Sequence, residues 1–428
     1  MDPFEIKTKK PEEYLSSLKD IYPAPYDKTT TSPYTKTRII LATGAEYEAA
    51  WFSHQNQRTV TDCDLRRDMA LLRYVEKQQQ QKLANLKPIN ESLLETTIAY
   101  EQLAVDLTAE MAQKESNFAV KKALDFALLE DFDHLYRYAD LLDMDDGVHA
   151  ERLVGGYTEI MPARPTAAHH RHPYDNVKEH INNYENNTQT ILNTMIITAA
   201  EQQTMNYYMN GAAFYKNDQG RKLFEEISLV EEEHVTQYGA LIDTSGDMLE
   251  KMLWHEYAEA YVYWSNYMTE TDERIKKIWE EYFETEVSHL NAVKELVRKY
   301  LNKEYDEVIV NHKFPTPLAL HENVDYVRKI LADTVQYTGD LTEYENIDNL
   351  PTNHRFFRFN SRLTDPVGEE AGHKVIADYI KNQGKDYRYE KYDHPIKALR
   401  ERCKDNCAVG IKPDAAKSSG FTPLENIG

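Results

Sequence analysis

Cysteine is scarce: Cys63, Cys403 and Cys407 are the three in a chain of 428 residues. So few exclude a disulfide framework. Long apolar runs are missing as well, and no stretch approaches the roughly 20 residues that a membrane span needs. Met1 to Leu18 is polar and charged, without the apolar core of a signal peptide. The expected location is the cytoplasm, with no membrane partner. Positive charge is in deficit: 50 Lys and Arg stand against 72 Asp and Glu, for a formal charge of -22. A surface of that sign repels phosphate, which excludes nucleic acid as a main partner.

Carboxylate, tyrosine and helical periodicity are present in quantity. Carboxylates are the material of hard-cation sites, and tyrosine reaches 30 residues. Residues 1–36, rich in Pro, Thr and Lys, read as an extended arm. From 37 to 147 apolar residues recur at three and four, as in Met69 to Val75 and Phe118 to Leu142. Leu86 to Glu91 breaks two of these helices, with Asn90 the expected N-cap. Residues 148–180 hold Gly155, Gly156, Pro162, Pro165, Pro173 and the run His169-His170-Arg171-His172. They read as a linker whose histidines are solvated or hydrogen-bonded rather than metal-bound. His180 and His255 are not expected as ligands either. A second helical block covers 181–302, with turns at Lys216 to Gly220, Asp243 to Asp247 and Thr269 to Asp272. Prolines from Pro315 to Pro413 keep helices short in 303–428. Helices are expected there at 321–337, 367–383 and 395–404. This segment is expected to wrap the rest of the protein, with disorder beyond Lys412.

The chemistry sits in a repeat. Glu231-Glu-Glu-His234 and Glu286-Val-Ser-His289 are two Glu-x-x-His motifs 55 residues apart. Glu and His at i and i+3 lie on one helix face, so one ion can take both. Thirty residues before each motif stand Glu201 and Glu256. At the same offset Tyr208 matches Tyr263 and Lys222 matches Lys277. After about four residues for a turn, each arm is about 20 Å of helix, which brings Glu201 level with Glu231. Two such hairpins packed together would set four glutamates and two histidines at one height. A plain bundle with solvated glutamates is the competing reading. Glu201 follows Ile196 to Ala200 and Glu256 lies between Trp254 and Ala258, and buried carboxylates are costly unless paired or metal-bound.

The same ruler laid upstream, at a shift of 155 residues, meets Glu46, Glu76, Glu101, Asp131 and His134. Gln79 stands where a histidine is expected. This first block reads as a second copy with a weaker metal site, or as a scaffold that kept some carboxylates. Glu48 and Glu130 lie close enough to blur its register. The expected fold is all-α: two tandem four-helix bundles, 37–147 and 181–302, plus an irregular C-terminal extension.

The second block resembles the ferritin-like, rubrerythrin-like dimetal-carboxylate superfamily, clearly over 187–301 and weakly over 37–142. The resemblance implies that Glu231 and Glu286 bridge two iron or manganese ions, with Glu201 and Glu256 terminal. Glu259, one turn after Glu256, is placed like an additional rubrerythrin glutamate. The rubredoxin-like iron centre is missing, because Cys403 and Cys407 do not form the two Cys-x-x-Cys pairs it needs. The implied activity is reduction of peroxide or dioxygen with an external electron donor, and a homodimer is compatible with it. Alternatives are ferroxidation or metal handling without an organic substrate, and oxygenation of a small organic molecule, which needs an apolar pocket beside the metals. Tyr208 and Tyr263, two turns past Glu201 and Glu256, are the candidate catalytic side chains; they hydrogen-bond the site, carry an electron hole or simply fill the core.

Overall fold

A side-chain acceptor precedes most of the long helices and takes up backbone N–H groups left unpaired in the first turn. Asp62 accepts from Asp64 and Leu65, Asn117 from Ala119 and Val120, and Asp272 from Arg274 and Ile275. In the computed structural model, which describes residues 1–164, 166–363, 370–384 and 386–389, these signals open a mostly helical chain. The helices are α1 (Pro33–Gln57), α2 (Cys63–Ala84), α3 (Leu93–Lys114), α4 (Phe118–Asp146), α5 (Ala150–Leu153), α6 (Thr188–Phe214), α7 (Asp218–Leu241), α8 (Met248–Thr269), α9 (Glu273–Leu301), α10 (Tyr305–Val308), α11 (Val324–Thr334), α12 (Arg355–Leu363) and α13 (Ala371–Gln383). The three turns expected between 216 and 272 separate α6, α7, α8 and α9. None of the described helices is long and apolar enough to cross a membrane.

Local signals shift several boundaries. Helix α3 is capped by Ser92, not Asn90: Ser92 accepts from Glu95 N–H while Glu95 accepts from Ser92 N–H. This reciprocal pair fits Ser-x-x-Glu, which starts two residues beyond Asn90. Gly147 ends α4 at φ 63, a left-handed cap that glycine adopts without steric cost. In the tail, α11 and α13 fall inside the expected 321–337 and 367–383. The expected helix at 395–404, Cys403, Cys407 and the stretch beyond Lys412 lie outside the described residues. An antiparallel hairpin, β1 (Tyr337–Asp340) with β2 (Glu343–Asn346), was not anticipated. Its residues are mostly polar and too few to show an alternating pattern.

The described chain divides into two compact units, and the division differs from the expected one. Unit 1 takes 1–91, 180–203 and 242–320; unit 2 takes 92–179, 204–241 and 321–428. Each therefore draws on both halves of the sequence, instead of corresponding to 37–147 or 181–302. In unit 1, α1 packs on α2 and α8, and α9 packs on α2 and α8. The N-terminal arm also belongs here, with Phe4 buried and stacked on Tyr305 at 4.1 Å. In unit 2, α4 packs on α3 and α7, and α11 and α13 cover α4. Among the described residues beyond 320, α11 also packs on α3 and α13 on α7, and the 148–179 segment contacts α3 and α4 through α5. Helix α6 is continuous through Gln203, where its residues pass from unit 1 to unit 2. The physical reason for the exchange is the repeat itself. Hairpins with the same buried face are interchangeable as partners, so sequence periodicity does not choose between them.

Candidate metal centres

In unit 1 the cluster is built from four helices. Glu46 comes from α1, Glu76 and Gln79 from α2, Glu256 and Glu259 from α8, and Glu286 and His289 from α9. Each is at most 4% exposed. Ligand atoms of Glu76, Glu256 and His289 lie within 4.8 Å of one another, as do those of Glu256, Glu259 and Glu286, so both groups can hold a metal ion. His289 Nδ1 is 3.2 Å from Glu286 and 3.7 Å from Glu256. Gln79 fills the place of a histidine by donating its amide to Glu286 Oε1 at 2.6 Å. Tyr263 donates to Glu46 Oε1 at 2.5 Å.

The charges in this cluster are poorly balanced. Burial and then the neighbouring carboxylates push the Glu46, Glu256 and Glu259 carboxyls well above their usual range. Glu76 rises to about 7, with burial dominant and His289 opposing it. Burial alone would lower His289, but Glu286 raises it. One oxygen each of Glu46, Glu76 and Glu256, both oxygens of Glu259, and His289 Nε2 have no hydrogen-bond partner. Buried polar atoms are rarely left so, and the Glu76–Glu256–His289 and Glu256–Glu259–Glu286 groups could each hold a cation.

Unit 2 contains Glu101 on α3, Asp131 and His134 on α4, and Glu231 and His234 on α7, all buried. Glu101, His134 and Glu231 bring ligand atoms within 4.8 Å of one another. His134 Nδ1 meets Glu231 Oε1 at 2.9 Å. His234 Nδ1 lies 3.3 Å from Asp131 and 3.2 Å from Glu231, while its Nε2 meets Glu130 Oε2 at 2.7 Å. Burial would raise Glu231, but hydrogen bonds with His134 and His234 outweigh it and hold the carboxyl well below its usual range. Tyr208 donates to Glu101 Oε1 at 2.5 Å.

The sequence-derived ligands are thus sorted in a new way. Glu256, Glu259, Glu286 and His289 join Glu46 and Glu76, whereas Glu231 and His234 join Glu101, Asp131 and His134. The block expected to be degenerate supplies Glu46 and Glu76 to the first cluster and Glu101, Asp131 and His134 to the second. Glu201 is buried on α6, just before the unit boundary at Gln203; in sequence it is the counterpart of Glu46. Both candidate tyrosines are fully buried hydrogen-bond donors to a carboxylate of the opposite sequence half.

The His169 to His172 segment is not a solvated loop. His169, His170 and Arg171 are buried. Arg171 holds Glu130 at 2.6 Å and Glu233 at 3.2 Å. Burial would raise Glu130, but Arg171 and His234 bring it to about 2. His169 sits 6.1 Å from the His134 ring, with neither ring nitrogen hydrogen-bonded. Burial, then Arg164 and His134, keep it well below its usual value and therefore neutral. His172 accepts from Tyr174 N–H, and His180 meets a backbone carbonyl. Glu130 and Arg171 are the functional candidates that sequence reasoning missed. Adjacency to Asp131 marked Glu130 only as a blurred register, and nothing local ties Arg171 to it.

No family model, curated protein or solved structure matches this chain.

Proposed function

We propose that the protein is a dimetal-carboxylate oxidoreductase of ferritin-like, rubrerythrin-like kind, with a four-helix bundle around each cluster. It would reduce peroxide or dioxygen with electrons from an external donor. The observation that carries this reading is the set of buried carboxylate and imidazole atoms in unit 1 that lack a hydrogen-bond partner. Such groups are costly inside a protein unless a cation joins them. In unit 1 the ligands would be Glu46, Glu76, Glu256, Glu286 and His289, with Glu259 in addition. In unit 2 they would be Glu101, Asp131, His134, Glu231 and His234. Oxygen and imidazole donors suit iron or manganese, and either, when bound, supplies reversible one-electron changes.

The chain's own groups prepare that chemistry. Tyr263 and Tyr208 hold one oxygen of Glu46 and of Glu101, and the other oxygen of Glu46 is left for an ion. Glu130, anchored by Arg171, orients the His234 ring and favours presentation of Nδ1 to the cluster. Carboxylate–histidine pairs of this kind fix ring orientation and raise ligand basicity. Metal analysis of protein purified without chelators tests the reading: about two iron or manganese ions per loaded cluster are expected. Protein that rejects both metals overturns it. Stopped-flow mixing of the reduced, loaded protein with peroxide or dioxygen then separates turnover from metal handling, which is the reading left if metal is held but neither oxidant is consumed catalytically.

A further inference from the structure

Unit 1 contains a small pocket with Glu259 in its lining. Its walls are mainly apolar, with Leu41, Ala45, Ala199, Ala258 and Val262 among them. Its polar lining is Glu48, His255 and Glu259. Glu48 and His255 are half-buried and paired at 2.9 Å, and His255 stacks on Phe52 at 4.0 Å. Glu259 is 4% exposed and both its oxygens are without a hydrogen-bond partner. The pocket encloses about 20 Å³, slightly more than the roughly 10–15 Å³ required for a single water.

We propose that this pocket is the access port of the unit 1 centre, and that it admits neutral molecules of about two heavy atoms, such as dioxygen or hydrogen peroxide, while rejecting organic substrates. The inference rests on the oxidoreductase reading and names its substrate class by size. Apolar walls favour a neutral guest over a hydrated ion, whose desolvation they cannot offset. Glu48 and His255 turn their polar atoms towards each other. Glu259 lines the pocket and shares the cluster with Glu256 and Glu286, so a guest in the pocket stands beside a residue of the metal-ligand group. A benzene-sized guest needs a cavity on the order of 150 Å³. An oxygenase acting on an organic molecule would therefore find no room here.

The test uses the full chain in two arms. In metal-free protein, methyl NMR under oxygen pressure reads paramagnetic effects on Ala45, Ala199, Ala258 and Val262. These should exceed those on the core methyls of Leu253 and Val287 severalfold, and Ala258→Leu, which fills the pocket, should abolish the excess. Benzene should leave the same methyls unshifted. Equal oxygen effects at pocket and core overturn the port, and benzene-induced shifts overturn the size limit. In ferrous-loaded protein, nitric oxide binding should slow by about tenfold or more in Ala258→Leu at unchanged iron content. An unchanged rate overturns the link between pocket and centre. Failure to bind either iron or manganese refutes the oxidoreductase reading instead, while the oxygen arm still decides the port.

Discussion

Units 1 and 2 use the same positions of the repeat and reach opposite electrostatic solutions. Unit 1 gathers five glutamates around one histidine, with Gln79 in the second histidine position. The Glu46, Glu76, Glu256 and Glu259 carboxyls are pushed upward and several of their oxygens lack a hydrogen-bond partner. Unit 2 sets two histidines against its carboxylates and backs His234 with Glu130 and Arg171, so Glu231 and Glu130 are held low. At the position corresponding to Glu130, unit 1 has Thr285, which cannot orient a ring by charge. A repeat thus fixes where ligands project, while the residues between them decide whether protons or histidine hydrogen bonds offset the buried carboxylates before a metal arrives.

The sharpest way to break this comparison is to ask whether His234 and His289 serve one centre or two. His234→Ala and His289→Ala should each remove about half of the bound metal, and the double variant should remove nearly all, since distant sites act additively. Elemental analysis of the purified variants reads this. A double variant no worse than either single one would return both histidines to a single site.

The next largest effect is on pH dependence. Glu76 rises from 4.5 to about 7 in the folded protein, so it contributes stability at low pH that is lost as pH rises through about 7. The full linkage would be on the order of 3 kcal/mol in metal-free protein. Glu46, Glu256 and Glu259 act in the same direction. Glu130, lowered to about 2, acts oppositely: its contribution is present above 4.5 and fades as pH falls towards 2. Hydrogen exchange on metal-free protein at about pH 5 and about pH 8, corrected for the intrinsic rate, should show unit 1 loosening at the higher pH and unit 2 not. Added manganese should reverse the loosening. Equal responses in the two units would remove the electrostatic distinction.

Glu130→Gln should weaken metal binding in unit 2 by about 10–100-fold, the usual loss for a group that orients a ligand, and leave unit 1 unchanged by titration calorimetry. Gln79→His should tighten unit 1 by about tenfold, because it adds an imidazole ligand. Weaker binding would mean that the Gln79 amide is itself required by Glu286. The smallest effect is expected for Tyr208→Phe and Tyr263→Phe. Each removes one hydrogen bond to a carboxylate, worth about 1.5–3 kcal/mol where the acceptor is charged and less where it holds a proton. Because burial pushes Glu46 upward, the loss on Tyr263→Phe should fall below the charged-acceptor range, read as a small drop in melting temperature.

Much of the local structure was legible. Asp62, Asn117, Asp247 and Asp272 cap helices by short-range hydrogen bonds, and such signals act within a few residues. The Glu-x-x-His spacing put Glu286 beside His289 for the same reason. The hairpin of β1 and β2 was not legible. It is tied down by distant groups, with Lys178 Nζ donating to the carbonyls of Leu341 and Glu343. Burial of His169 and Arg171 was equally hidden, because a Pro- and Gly-bounded run reads as surface until its partner Glu130 is known.

The repeat by itself determined that Glu46, Glu76, Glu101, Asp131, Glu231, Glu256 and Glu286 are equivalent positions on helical faces. That follows from a 3.6-residue period acting inside each helix. Only the tertiary structure decided that α1 and α2 share a unit with α8 and α9, and hence that His289 stands with Glu76 while His234 stands with Asp131. Hairpins that bury the same kind of face compete on nearly equal terms. The choice among them rests on long-range packing, where contacts such as Gln79 with Glu286 and Arg171 with Glu130 carry no signature in the local sequence.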